Sequence, residues 1–233
     1  MGRDECGDPF PTLEGLLCWC KKYAELPDRD AAYKFADRAV KSSWPDMAEV
    51  ADAVSVFLLV WNAAFYRGDS PRVDKLERTL SDYRAALEQF RGRDIGAFQA
   101  GDEIQIRGLF DALVCALEDS KLRKSPVGAG KALHLLAPSF FPAWDGRIAA
   151  EYGCPWLTSD AAADSYLDFM EKTKRGLEQL KHDNDRSLAD IEKELCGQAR
   201  FPKTLLKFVD EFNYMRYTYS RRRASSGTTG PAG

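Results

Sequence analysis

Residues 125–153 read SPVGAGKALHLLAPSFFPAWDGRIAAEYG. Two glycines, Gly128 and Gly130, precede Lys131, then a short apolar run and a Pro-aromatic turn lead to a lone aspartate, Asp145. Glycine permits positive φ and close backbone approach, so the glycine pair predicts a tight turn entering a helix. A helix that starts beyond such a turn offers free N–H groups and a positive dipole end, a natural seat for phosphate. The stretch is not a nucleotide P-loop, because Ala132 stands where Ser or Thr is needed. It is not a Rossmann fingerprint, because no strand precedes it. A plain helix–helix turn is the alternative reading. Residues 131–137 are expected as a short helix stopped by Pro138, with Leu133, Leu135 and Leu136 inward and His134 partly buried. Phe140, Phe141 and Trp144 form an aromatic turn, and Asp145 stands where the next helix begins. An aspartate at that position accepts backbone N–H bonds and favours the dipole, contributing about 1 kcal/mol. The same position could also hold a catalytic carboxylate.

Outward from this stretch, nearly every segment has helical spacing of its apolar residues. Helices are expected over 12–23, 30–41, 47–66, 72–90, 104–117, 161–180 and 187–196, with a last one opened by Pro202 and ending near Tyr219. Asp46 is a candidate N-cap, and Pro71 a candidate first helical residue. The helix over 47–66 is apolar on most faces and is expected at the centre. No strand or hairpin signal is visible. The expected fold is therefore all-α, a single domain of about nine helices over residues 1–219. Residues 220–233, SRRRASSGTTGPAG, read as a disordered basic, Gly/Ser-rich tail.

Composition restricts the function. The chain has 233 residues, 45% hydrophobic and 30% charged, with a formal net charge of −3. That balance argues against a protein that coats nucleic acid non-specifically. Yet between 121 and 147 five Lys or Arg residues meet one acid, Asp145, so a local basic patch is expected. The longest apolar run, 54–60, is too short to span a membrane. Residues 1–11 are acidic and polar, unlike a secretory leader. Six cysteines include only one close pair, Cys18 and Cys20, which fits no zinc or iron–sulfur spacing. They read as reduced thiols of a cytoplasmic protein, with Cys115 on a core face. No metal or cofactor is expected, and a monomer is expected.

Beyond 125–153, Trp61, Asn62 and Tyr66 stand out, with Asn62 and Tyr66 four apart on one expected helix face. Asn62 is expected either to satisfy a nearby helix end or to orient Asp145 or a substrate. Asn213, Tyr214, Tyr217 and Tyr219, with Arg216, form an aromatic, basic segment suited to core packing or base stacking.

Taken together, the glycine pair, the lysine, the apolar helix and Phe141-Pro142-Ala143-Trp144-Asp145-Gly146-Arg147-Ile148 resemble the helix-hairpin-helix DNA glycosylase superfamily, over about residues 125–150. The resemblance implies a helix-hairpin-helix element around 121–150 that binds DNA phosphates through backbone N–H groups. It implies that Asp145 is the catalytic carboxylate, stabilising the sugar cation and helping to activate the nucleophile. Lys131 is the nearest match to the lysine nucleophile of bifunctional members, and a phosphate contact is its other expected role. Gly128, Gly130, Lys124 and Arg147 are the expected phosphate contacts. Trp144, Trp61, Asn62, Tyr66 and His134 are the expected substrate contacts. The implied activity is N-glycosidic bond cleavage in DNA or a nucleoside, a hydrolase reaction of the DNA-repair type. The alternative is a non-catalytic helical module that binds nucleic acid or protein.

Overall fold

The computed structural model describes residues 9–26 and 29–220, and expectations for the tail beyond Ser220 lie outside the described residues. Eleven α-helices and no strand occur among the described residues. In chain order they are α1 (Leu13–Ala24), α2 (Arg29–Ser43), α3 (Met47–Trp61), α4 (Val73–Asp82), α5 (Arg84–Arg91) and α6 (Glu103–Ala116). There follow α7 (Pro126–Leu136), α8 (Gly146–Glu151), α9 (Ala162–Asn184), α10 (Leu188–Gln198) and α11 (Leu205–Asn213). A π-helical turn, Tyr214–Tyr219, extends α11. The all-α reading of the sequence is met.

Two helices are central, α3, which is largely apolar, and α11, which is buried along its whole length. Along α3, Asp46 caps the start by accepting from the N–H groups of Ala48 and Glu49 at 3.1 and 3.4 Å. The helix then packs against α2, α4 and α7. Every residue of α11 is buried, including Lys207, Asp210 and Glu211. Helix α1 docks along α11, and Tyr217 Oη donates to the carbonyl of Pro9 at 2.7 Å.

Several local expectations are corrected. The helix over 47–66 ends at Trp61, with Asn62 as its C-cap, so Asn62 and Tyr66 do not share a helix face. Asn62 instead donates from Nδ2 to Ser125 Oγ at 2.9 Å, joining the end of α3 to the start of α7. The helix over 72–90 breaks at Tyr83, whose ring packs beside Gly108 of α6. Val73, not Pro71, is the first residue of α4, with Arg72 as its cap. The apolar spacing of 30–41 predicts an inward stripe of Ala32, Phe35, Ala36 and Ala39, but Phe35 points outward, 65% exposed, and the buried stripe is Tyr33, Ala36 and Val40. Cys115 is exposed rather than core.

The largest correction concerns the glycine pair. Gly128 and Gly130 do not form a turn; both lie inside α7 and are buried. The helix starts earlier, with Ser125 as N-cap accepting from Gly128 N at 3.1 Å and Pro126 at the first helical position, where proline is favoured. Gly130 is small for a packing reason: a Cβ there would overlap the Trp144 indole. The backbone of these glycines therefore makes no phosphate cradle.

Candidate functional site

A cavity of about 390 Å³ opens where α3, α7, α8 and the α11 extension converge. Each wall follows from a local feature. The short helix α8 begins at Asp145, whose extended backbone leaves its carboxylate free to cap. Oδ1 accepts from Arg147 N and Ile148 N, each at 2.9 Å, and Oδ2 accepts from Thr218 Oγ1 at 3.0 Å. Thr218 belongs to the π-helical turn, a distortion that recurs at functional sites. Its carbonyl in turn accepts from Arg147 Nη1 at 3.4 Å. Asp145 thus caps its helix and also lines the cavity.

Lys131, one turn into α7, reaches the same cavity and donates from Nζ to the Trp61 carbonyl that ends α3. Trp61 and Asn62 form that side of the wall. Trp144 contributes an edge only. Its ring is 1% exposed, pressed against Trp156 at 4.4 Å and Tyr166 at 5.1 Å, and Nε1 donates to the Pro126 carbonyl at 3.3 Å. Trp61 is likewise packed on Phe57 at 4.9 Å. Both tryptophans are core walls rather than open stacking platforms.

Three expected contacts are elsewhere. His134 is fully buried, with Nδ1 2.8 Å from the Phe141 carbonyl and Nε2 3.3 Å from Tyr33 Oη. A carbonyl only accepts, so Nδ1 carries the proton and Nε2 accepts from the tyrosine. Burial holds the imidazole below its usual range, so it is neutral. Tyr66 is buried and donates from Oη to the Leu117 carbonyl at 2.7 Å. Lys124 is exposed and paired with Asp160 at 3.0 Å. None of the three lines the cavity.

Of the fourth wall, the sequence singles out Tyr214 alone, as a residue suited to core packing or base stacking. Asp210 of α11, Tyr214 and Thr218 of its extension, and Tyr23 of α1 complete the cavity. Behind Asp210 sits a buried ion cluster. Lys207 Nζ lies 3.0 Å from Asp210 Oδ2 and 3.1 Å from Glu211 Oε1, and Lys203 Nζ is 2.7 Å from Glu211 Oε1. The Lys207 ammonium also faces the rings of Tyr23, Trp61 and Tyr33 at 4.8, 4.8 and 5.0 Å, an aromatic cage. Burial alone would lift the Asp210 carboxyl, but the Lys207 charge, helped by Lys131, holds it below the usual range. Burial would likewise lower Lys207, yet Glu211 and Asp210 raise it well above the usual lysine range. A helix otherwise made of Leu, Phe, Val and Asn that carries charges at 207, 210 and 211 was the available sequence signal.

Among the described residues no helix is long and apolar enough to cross a membrane, and no group of three or more His, Cys, Asp or Glu side chains is placed to share a metal ion. No protein-family model, curated protein or solved structure matches the chain. The cavity brings together two carboxylates, a lysine and an arginine around a partly apolar space.

Proposed function

We propose that this cavity cleaves an N-glycosidic bond of a nucleoside unit, free or within DNA, with Asp145 as the catalytic carboxylate. The observation that carries this reading is that Asp145 and Lys131 line one cavity, although 13 intervening residues, 132–144, separate them in sequence. Breaking an N-glycosidic bond builds positive charge on the sugar, and a fixed carboxylate stabilises that charge. Asp145 is fixed by three hydrogen bonds from two elements, so it need not reorganise as the charge develops. Lys131 and Arg147 supply positive charge for a neighbouring phosphate, a role lost to the glycines. A base within a duplex would have to be flipped out of the stack to enter.

A second reading is a non-catalytic helical module that binds nucleic acid or protein. It is favoured by the same three hydrogen bonds, two from the helix N–H groups and one from Thr218, which already give Asp145 a structural role as cap and tether. Base release separates the two. Wild type and Asp145→Asn are compared on free nucleosides, single strands and duplexes carrying damaged or modified bases. Release by the wild type that falls about 100-fold or more in the variant supports the enzyme, the size expected for losing one charge-stabilising group. Equal release by both proteins, or none from either, supports the binding module.

A further inference from the structure

We infer that Asp210 is a second catalytic carboxylate of this cavity, the base that takes the proton from an attacking water, and that Lys131 works there as an ammonium rather than as an amine nucleophile. The inference rests on the N-glycosidic reading above and makes the reaction a hydrolysis without a covalent enzyme–sugar intermediate.

Four observations lead to it. Asp210 lines the same cavity as Asp145 and Lys131. The two carboxylates differ in how they are engaged: both oxygens of Asp145 accept hydrogen bonds, three in all. Asp210 accepts one hydrogen bond among the described residues, from Lys207 to Oδ2, which leaves Oδ1 for a water. Lys207 is itself immobilised, fully buried between two carboxylates and a cage of rings, so the direction of the Asp210 carboxylate is set from behind. Finally, the Lys131 charge favours the ionised, proton-accepting form of Asp210, and Lys131 Nζ is held at the cavity wall by donating to the Trp61 carbonyl. A lysine kept as ammonium has no lone pair with which to attack a sugar.

The step balances as follows. The water oxygen forms a bond to C1′ of the sugar while the C1′–N bond breaks, its electron pair leaving with the base nitrogen. The water proton passes to Asp210 Oδ1, and the leaving nitrogen takes a proton from the Lys131 ammonium. Proton transfer from Asp210 back to Lys131, directly or through water, restores the starting state. Asp145 stays ionised throughout as the counter-charge to the sugar.

Titratable groups face Asp210 from several elements. Lys207 and Glu211 lie on its own helix, with Lys203 just before it. Lys131 and His134 face it from α7, Tyr33 from α2 and Cys20 from α1. Of these, Lys207 is the dominant opposing charge, so it governs where Asp210 takes up its proton.

The test uses the whole chain and the base-release substrates above. Asp210→Asn is expected to lower kcat about 100-fold, the size of a general-base contribution, with KM little changed, and Asp210→Glu to recover part of the loss. The acid limb of the kcat/KM profile is expected to move to higher pH in Lys207→Met, which a purely structural lysine would not cause. Borohydride added to wild type during turnover is expected to trap no covalent adduct. A trapped adduct, or wild-type turnover in a folded Asp210→Asn, overturns the inference while leaving Asp145 as the catalytic carboxylate. If Asp210→Asn does not fold, the trapping result and the limb shift decide. Absence of base release from wild type across the whole panel removes both the inference and the reading beneath it.

Discussion

Two segments build the cavity, and they do so by opposite means. The α7–α8 segment works locally: Ser125 and Asp145 each cap the helix that follows them, and Gly130 makes room for Trp144 only 14 positions on. The α11 segment works at long range: Lys207 gathers Asp210 and Glu211 from its own helix but rings from α1, α2 and α3. Local caps tolerate solvent and cost little to lose. A buried ion cluster is stable only while each charge keeps its partner. The first segment is therefore the adaptable half of the site and the second the rigid half.

The sharpest way to break this contrast is to empty the cluster. Lys207→Ala leaves Asp210 buried without its ion-pair partner and Glu211 with Lys203 alone of its two paired lysines, and is expected to cost about 3–5 kcal/mol in urea unfolding. A loss under about 1 kcal/mol, the range of exposed pairs, would mean that water already reaches these charges. Gly130→Ala comes next. Alanine is the better helix former by about 1 kcal/mol, yet its Cβ meets the Trp144 indole, and overpacking of this kind costs about 1–3 kcal/mol. Net destabilisation is expected in thermal melts, and a stabilised variant would show that the α7–α8 packing is loose.

A smaller effect is read against pH. His134 is held below its usual range by burial, so the unfolded chain binds a proton that the folded chain refuses. Its contribution is complete above the unfolded value of about 6.5 and shrinks as pH falls below it. Asp210 has the depressed carboxylate behaviour: its contribution is present above about 3.9 and is lost as pH falls through its lower folded value. Stability is thus expected to decline in two stages on acidification, the first flattened by His134→Gln. A single stage would place the imidazole in contact with solvent. The smallest effect is expected at Lys124, exposed and paired with Asp160 away from the cavity. Lys124→Ala should leave both the melting temperature and base release unchanged, and a loss of release would extend the substrate path to the α6–α7 loop.

Helical periodicity made the all-α fold legible, because spacing of apolar residues is a local signal. The caps at Asp46 and Asp145 were legible for the same reason. The glycine pair was misread because glycine before a helix suggests a turn, whereas Ser125-Pro126 had already opened α7. What glycine reported at 130 was a neighbour, Trp144, and a neighbour in space has no fixed spacing in sequence. Asp210 was missed on the same ground, since its meaning comes from contacts with residues 23 to 131. Its one local trace was three charges on a helix otherwise made of Leu, Phe, Val and Asn.

The bond from Tyr217 to Pro9 fastens the last described turn to the first described residue, and the cavity itself draws on residues from Tyr23 to Thr218. A chain growing on the ribosome therefore carries no cavity until α11 and its extension emerge. Asp145 is made early and waits, capping α8, while the wall that holds Asp210 arrives last. Shorter products of interrupted synthesis would display α1 without the helix that packs along it, and so would carry exposed apolar surface but no site.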